Sequence, residues 1–314
     1  MKRRWIAGLL ALALTLAGCT GASSVSDHPS SEGGPSATTT YPLTITDDDG
    51  ASVTIDHQPQ RIVTFAPSMT EIVFALGLGD RLVGVAGAYD DYPPEAKGID
   101  QVGGAGNFGV DPNVEKVVAL QPDLFLTIAG GDQWKQKLRD LGVPVVTYNA
   151  TDLPDLLDDI NAIGRIAGEQ RAAQSLTAKM SDRADAVAQQ VQTEGRVSCF
   201  FEVYYPPLTT VGPGTFIFDL LERAGCDPVT ASAKSDYPQW SVDELVAHPP
   251  QVYLATPESA KSVAAIARRP AFGDIPAIAS GNVALIDSDL VTRPGPRVID
   301  GIEQLAAALH PQGV

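Results

Sequence analysis

The sequence predicts an α/β protein of two similar Rossmann-like lobes, joined by a single long helix, with a cleft between the lobes. Three observations lead to this prediction. Past Tyr41, short apolar runs alternate with segments of helical period, as strands and helices do in α/β units. A thirteen-residue pattern occurs twice in the chain. An amphipathic stretch of helical period separates the two copies.

The first eighteen residues are typical of an export signal. Basic residues at 2–4 precede an apolar run over 5–17, which is too short to cross a hydrocarbon core of about 30 Å as a helix. The run ends in Leu16-Ala17-Gly18-Cys19, which resembles the lipobox of bacterial lipoproteins. That resemblance implies cleavage after residue 18 and a lipid on Cys19, and an ordinary signal peptide is the alternative.

A flexible tether is predicted over 19–40. This segment consists mostly of Ser, Gly, Thr and Pro, and it buries too little apolar surface to offset the entropy lost on ordering. No later segment has eighteen consecutive apolar residues, so we expect the folded part to lie outside the cytoplasm and near the membrane, not in it. In that oxidising setting Cys199 and Cys226 either form a disulfide or remain two buried thiols.

The charge excludes a nucleic-acid binder. The chain has 22 Lys and Arg against 38 Asp and Glu, a formal charge of −16 that becomes −19 once residues 1–18 are removed. Neutralising phosphates requires a basic surface, which this chain lacks.

The first lobe is predicted over 41–167. A strand at 61–65, a helix at 70–78 and a strand at 82–85 open it. The second lobe is predicted over 195–314, because residues 242–254 repeat 114–126 without gaps at an offset of 128, with five of thirteen positions identical. Each copy predicts a helix, a tight turn at proline and a buried strand. Similar openings at Arg61 and Arg196 support the pairing of the lobes.

A linking helix is predicted over 168–194. Its apolar positions recur at helical spacing, at Leu176, Met180, Ala184, Val187 and Val191. A helix of this length runs about 35 Å and limits how far two lobes can hinge.

No catalytic or metal-binding pattern is present in the sequence. The four histidines, His28, His57, His248 and His310, have no metal-ligand spacing. The stretch Gly103-Gly-Ala-Gly-Asn-Phe-Gly109 lacks the lysine of a phosphate-binding loop, and indicates a place where the backbone approaches another group closely. We therefore predict neither an enzyme nor a bound cofactor or metal.

Aromatic residues collect in segments rich in proline and glycine, where a core does not need them. They are Tyr89, Tyr92, Phe108, Trp134, Tyr204, Tyr205, Tyr237 and Trp240. Loops at the carboxyl ends of strands are where open α/β sheets bind ligands. Each ring is either a local packing plug or part of an aromatic-lined cleft for a large, flat or hydrophobic ligand.

Four segments resemble one known family, the substrate-binding proteins of bacterial importers for cobalamin, ferric siderophores and haem. They are residues 61–85, Tyr89-Asp-Asp-Tyr-Pro-Pro94, Val102-Gly-Gly104 with Pro112-Asn-Val-Glu115, and Asp289-Leu-Val-Thr-Arg-Pro-Gly-Pro-Arg297. The second and fourth are most similar to the cobalamin binders. The resemblance implies two lobes bridged by one helix, with cargo bound between them.

The same resemblance implies the residues that contact cargo. Tyr89 would stack on the corrin, Pro67 would line the cleft floor, and Asp289 and Arg293 would hydrogen-bond the corrin amides. Further aromatic contacts are expected on both lobes, at Phe108, Tyr205, Tyr237 and Trp240.

Glu71 and Glu222, one from each lobe, would pair with arginines of a membrane permease that works with an ATPase. The chain is thus expected to be a lipid-anchored, monomeric binding protein of an ABC importer for cobalamin or a related corrinoid. A ferric siderophore or haem is the alternative cargo. An exported enzyme or a sensor domain on the same fold is the alternative of another class.

Overall fold

The computed structural model describes residues 39–87, 89–103 and 111–311. Cys19 and Phe108 lie outside these residues, as do the export signal and most of the predicted tether and glycine-rich loop. Across the described ranges, no helix has both the length and the apolar character needed to cross a membrane.

The first half of the chain forms a four-stranded parallel sheet beside a small hairpin. The hairpin pairs β1 (Leu43–Thr46) with β2 (Ser52–Ile55) in antiparallel register. The sheet has the order β4-β3-β5-β6, and its strands are β3 (Ile62–Thr64), β4 (Leu82–Gly84), β5 (Leu124–Thr127) and β6 (Val145–Thr147). Its helices are α1 (Pro67–Ala75), α2 (Val114–Ala119) and α3 (Asp132–Asp140). Helix α1 begins three residues before the predicted start, because proline fits the first turn, where no backbone N–H is needed.

Two helices connect the halves. They are α4 (Leu153–Ala167) and α5 (Gln170–Glu194). Gly168 takes a left-handed conformation with φ of 76° between them, which lets the chain turn sharply from one helix into the next. Helix α5 covers the stretch that the apolar stripe predicted, and Met180, Ala184, Val187 and Val191 are buried on it.

The second half forms a five-stranded sheet with the order β11-β10-β7-β9 and an antiparallel β8 on β7. Its strands are β7 (Val197–Tyr204), β8 (Thr209–Thr210), β9 (Cys226–Pro228), β10 (Val252–Ala255) and β11 (Val283–Leu285). Its helices are α6 (Phe216–Arg223), α7 (Val242–Ala247), α8 (Val263–Ala267), α9 (Pro276–Ala279), α10 (Ser288–Val291) and α11 (Val298–Leu309).

The two sheets confirm the predicted pair of similar lobes. Strands β9, β7, β10 and β11 follow the same order as β4, β3, β5 and β6. Helices α2 and α7, and strands β5 and β10, start 128 residues apart, as the repeat predicted. The bounds of the lobes, 41–167 and 195–314, remain a proposal.

Alternation along the strands divides the core between the faces of each sheet. In the first lobe Ile62 and Leu124 face the cluster around α4 and α5, whereas Val63 and Phe125 face α2 and α3. The cluster around α5 also receives residues from the second sheet, so one continuous core joins both lobes to the linking helix.

Cys199 and Cys226 form a disulfide between the adjacent strands β7 and β9, with their Cα atoms 5.7 Å apart. The sequence left a disulfide and two free thiols as alternatives. Both cysteines are fully buried, so the bond ties two neighbouring strands inside the second lobe.

Candidate functional site

Arg293 is the centre of the first part of the candidate site. Its Nη2 lies 2.7 Å from Asp289 Oδ1, and its Nη1 lies 3.5 Å from Asp91 Oδ1. The Nη1 atom is buried and makes no hydrogen bond with a described residue. Burial raises the pKa of Asp289, while the charge of Arg293 lowers it. The structure thus brings the predicted pair Asp289 and Arg293 together, next to the loop that carries Tyr89.

The Tyr89 loop is fixed by its neighbour Asp90, which is buried. Thr70 on α1 donates a hydrogen bond to Asp90 Oδ1 at 2.5 Å, and the Gly87 amide donates to Oδ2 at 2.9 Å. Burial raises the pKa of Asp90, and these two bonds lower it. Tyr89 itself is 47% exposed. The loop is therefore held in place by hydrogen bonds to Asp90, and the Tyr89 ring on it is accessible.

Pro67 lies in the first turn of α1 and is buried there. Gly295, two residues beyond Arg293, packs its backbone against Ser68, so a side chain added at Gly295 would lie 3.7 Å from Ser68 Cα. The start of α1 is therefore close to the segment that follows Arg293. Pro67 therefore lies near this segment, but its side chain is buried and not exposed.

The second part of the candidate site is built around Tyr205, in the second lobe. The guanidinium carbon of Arg269 lies 4.1 Å from the centre of the Tyr205 ring, and the Phe272 ring meets Tyr205 edge-on at 5.2 Å. Arg269 in turn donates to both carboxylate oxygens of Glu202, at 2.6 and 3.0 Å. Glu202 is fully buried on β7, so Tyr205 rests on a rigid base.

Trp240 lies in the same part of the second lobe as Tyr205. The Trp240 amide donates to the Leu208 carbonyl at 2.9 Å, and Trp240 packs partly buried against the same core cluster as Tyr205. Tyr237 is 57% exposed. Among the described residues, Asp289 and Arg293 of the second lobe thus lie next to the Tyr89 loop of the first lobe, whereas Tyr205 and Trp240 share one core cluster of the second lobe. Phe108 lies outside those residues.

Glu71, one of the two carboxylates expected to pair with a permease, is buried and bonded within the chain. Its residue is 3% exposed, and Arg297 donates to its two oxygens at 2.6 and 3.0 Å. The guanidinium of Arg297 also stacks 3.8 Å above the Tyr92 ring. Burial raises the pKa of Glu71, and Arg297 lowers it. Glu71 therefore bonds to the start of α11 in the other half of the chain, whereas Glu222 is exposed.

Trp134 is also not in a loop. It lies on α3 and packs against Phe65 and Phe125, at ring-centre distances of 5.4 and 5.7 Å. The close backbone approach predicted for the glycine-rich loop occurs at Gly103, where an added Cβ would lie 2.3 Å from the Ala86 carbonyl oxygen. For Gly103 the neighbour is thus the chain's own backbone.

Sequence reasoning missed Arg297, Arg269 and Glu202. Glu202 could have been found, because a single carboxylate inside the apolar strand β7 must be paired when it is buried. Arg297 is the last residue of the segment 289–297, but nothing in that segment indicates Glu71 as its partner. In the part of the chain that the structure describes, no three His, Cys, Asp or Glu side chains are arranged to hold a metal ion.

Comparison with known proteins finds a matching family model and similar sequences. The family model described as "Periplasmic binding protein" matches residues 62–290. An ABC transporter substrate-binding lipoprotein of Bacillus subtilis, itself uncharacterized, is 34% identical over 99% of this chain and 98% of its own length. A cobalamin-binding protein of Halobacterium salinarum is 31% identical, over 96% of this chain and 83% of its own length.

The fold is also that of a solved binding protein. The crystal structure of the periplasmic vitamin B12 binding protein of Vibrio cholerae superposes with a TM-score of 0.71 and 27% identity, covering 81% of this chain and 98% of that one. These similar proteins are substrate-binding proteins and not enzymes.

Proposed function

The chain belongs to the periplasmic binding protein family, and on that premise we propose that it captures cobalamin or a related corrinoid between its lobes. It is a substrate-binding protein of the ABC importer type, within the group that serves cobalamin, siderophores and haem. Proteins of this type deliver cargo to a permease and its ATPase. The corrinoid, the lipid anchor and the docking residues are the proposed parts.

One observation carries the choice of a corrinoid, namely the polar group around Arg293 beside the exposed Tyr89. Asp289 and Asp91 both lie against Arg293, so its positive charge is compensated. An anionic siderophore would require uncompensated positive charge. Amide groups, in contrast, both donate and accept hydrogen bonds, and they match an arginine that lies next to carboxylates. A corrin rim carries such amides around a large flat ring.

The aromatic residues support the same cargo. Tyr89 on the first lobe is accessible, and Tyr205 on the second rests on Arg269 and Phe272. Rigid rings of this kind bind a large ring system with little loss of side-chain freedom. The cobalamin-binding relative and the vitamin B12 binding structure add weight to this choice.

The test is a titration of the purified chain with cobalamin, cobinamide, haem and a ferric siderophore. We expect corrinoid binding with a Kd well below about 10 μM, a free energy more favourable than about −7 kcal/mol. Absence of corrinoid binding at that level, or tighter binding of haem or the siderophore, would overturn the proposal.

Matched variants locate the contact. Tyr89→Ala is expected to weaken corrinoid binding about tenfold or more, because an aromatic contact at the centre of an interface is lost. Tyr89→Phe keeps the ring and should bind within about threefold of the wild type. Equal affinity of the alanine variant and the wild type would remove Tyr89 from the site.

For docking, we propose Glu222 on the second lobe and the region of Glu71 on the first. A cavity of about 470 Å³ opens next to Glu71 and Arg297 and is bordered by Glu95 and Asp80. A permease arginine could enter it and compete with Arg297. Glu71→Gln with Glu222→Gln should keep cargo affinity and lose uptake, whereas Glu258→Gln, an exposed control, should lose neither. Wild-type uptake by the double variant would refute this assignment.

The lipid on Cys19 is a separate proposal, supported by the Leu-Ala-Gly-Cys motif and by the lipoprotein relative. Cys19→Ser should leave the folded part intact and shift the protein from the membrane fraction to the soluble fraction. Retention of the variant in washed membranes would contradict the anchor.

A further inference from the structure

A chain of three buried polar side chains leads from the first sheet to the loop that carries Tyr89. Thr64 is the last residue of β3, Thr70 lies on α1, and Asp90 lies in the loop after β4. Both threonines are 0% exposed, and Asp90 is 3% exposed. The Oγ1 atom of Thr70 lies 2.7 Å from Thr64 Oγ1 and 2.5 Å from Asp90 Oδ1. These hydrogen bonds connect a strand, a helix and a loop inside the first lobe.

The direction of each hydrogen bond follows from its acceptor. In its ionised form the Asp90 carboxylate only accepts, so the Thr70 hydroxyl donates its single proton to Asp90. Thr64 therefore donates to Thr70. The Gly87 amide donates to the second carboxylate oxygen at 2.9 Å, and the Asp90 amide donates to the Gly87 carbonyl at 3.0 Å. Asp90 thus closes the turn from Gly87 and at the same time attaches it to α1.

The two neighbours of Asp90 in the chain are exposed. Tyr89 precedes it and carries the ring that we propose as a cargo contact. Asp91 follows it, and its Oδ1 lies 3.5 Å from Nη1 of Arg293 in the second lobe. Because Asp90 is the buried residue of the three, its hydrogen bonds fix where the other two lie.

We propose that Thr70 is a positioning residue for cargo binding, which acts through Asp90 on the Tyr89 ring. This inference rests on the proposed function, because Tyr89 is a proposed contact. Thr70 is 0% exposed, so it acts without touching cargo. A loop that is ordered before binding loses little freedom when cargo arrives. A loop that is in the competent position for only a fraction of the time binds with an affinity reduced by that fraction.

Thr70→Val tests this role, because valine has nearly the shape of threonine and lacks the hydroxyl. It removes one hydrogen bond to a charged acceptor, and the Kd for cobinamide should rise about five- to tenfold. Thr70→Ser keeps the hydroxyl and should bind within about twofold of the wild type. A substitution of Asp90 is less decisive, since an asparagine there could accept from Gly87 and donate to Thr70.

Thr147→Val is the matched control. Thr147 is 0% exposed and donates its hydroxyl proton to the Asp49 carboxylate at 2.8 Å, so the control loses the same type of hydrogen bond. It lies on β6, at the opposite edge of the first sheet from β4, which leads into the Tyr89 loop. The Kd for cobinamide should therefore be unchanged in this variant.

A double-mutant cycle separates positioning from a general effect on the fold. If Thr70 acts through the Tyr89 ring, Thr70→Val should change the Kd by less than about twofold in a chain that already carries Tyr89→Ala. A merely structural role would weaken binding by the same factor with and without the ring.

Amide hydrogen exchange gives a readout that needs no cargo. Peptides that span residues 85–92 should exchange about tenfold faster in Thr70→Val, because the bond that attaches Asp90 to α1 is lost. In Thr70→Ser and Thr147→Val they should exchange at the wild-type rate. Circular dichroism of each variant confirms that it is folded before it is measured.

Either of two results would contradict this role for Thr70. One is loop exchange that Thr70→Val leaves at the wild-type rate. The other is a Kd for cobinamide that Thr70→Val leaves unchanged, or that it raises equally with and without the Tyr89 ring. If the wild-type chain does not bind cobinamide, the proposed cargo is wrong, and the exchange measurement still decides whether Thr70 holds the loop.

Discussion

Removing Arg297 should destabilise the protein strongly at pH 7 and weakly at pH 5. The substitution is Arg297→Met, which keeps most of the side-chain volume and removes the charge. It leaves the Glu71 carboxylate, 3% exposed, without the two hydrogen bonds of 2.6 and 3.0 Å that now hold it. Breaking a buried ion pair in this way costs about 3–5 kcal/mol.

Protonation of Glu71 sets an upper limit to this loss. An unperturbed glutamate has a pKa of about 4.3, so neutralising it at pH 7 costs about 3.7 kcal/mol. We therefore expect a loss of about 3–4 kcal/mol at pH 7. At pH 5 the same protonation costs about 1 kcal/mol. In the variant the folded-state pKa of Glu71 is raised further above its unfolded value, so stability is retained at low pH and lost as the pH rises.

The assay is urea unfolding followed by circular dichroism at both pH values. Arg183→Met is the matched control, because Arg183 forms an exposed pair with Asp300 and Glu303, with all three side chains close to half exposed. Pairs of that kind contribute about 1 kcal/mol or less.

A companion variant, Glu71→Gln with Arg297→Met, should recover most of the stability at pH 7, because no charge is then left buried. A loss below about 1 kcal/mol in Arg297→Met would refute the reasoning. So would a loss that is equal at pH 7 and pH 5, or a double variant that is less stable than Arg297→Met.

Three further predictions concern other buried groups. Replacing Cys199 and Cys226 by alanine should cost about 3 kcal/mol in urea unfolding, from the freed 27-residue loop; a variant as stable as the wild type would contradict it. Asp159→Asn should stabilise the chain, because burial raises the pKa of the Asp159 carboxyl to about 8, and such a group lowers the stability of the fold as the pH rises. The gain in the free energy of unfolding should grow by about 3 kcal/mol from pH 5 to pH 8. A gain that is the same at both pH values would refute the raised pKa. Arg269→Gln leaves the buried Glu202 without its cation and should lower stability by about 3 kcal/mol, and a melting curve like that of the wild type would disprove the pairing.

Local pattern was enough to predict the repeated units. Helices α2 and α7 and strands β5 and β10 occur where the thirteen-residue repeat predicted them, because their apolar spacing specifies both the element and its buried face. Trp134 was misplaced for a local reason. The glycines before it suggested a loop, but Gly131, with φ of 79°, stands at the start of α3.

Contacts between distant parts of the chain could not be predicted in the same way. Glu71 and Arg297 are 226 residues apart, and their pairing depends on how the segment after α10 returns to α1. The partial compensation of Arg293 by Asp91 likewise depends on a contact between two loops. The sequence thus indicated the residue types expected in a cargo site. Which of the charged residues are paired within the chain depends on the tertiary packing.

The continuous core around helix α5 also has a kinetic consequence. A stiff 25-residue helix packed against both lobes leaves little room for a wide swing before cargo is enclosed. We therefore expect association in a single phase, near the 10⁵–10⁷ M⁻¹s⁻¹ common for binding without large rearrangement, with no slow step that is independent of cargo concentration. Differences in affinity between cargoes would then be expressed as residence times, and release to the permease would be the slow event of each transport cycle.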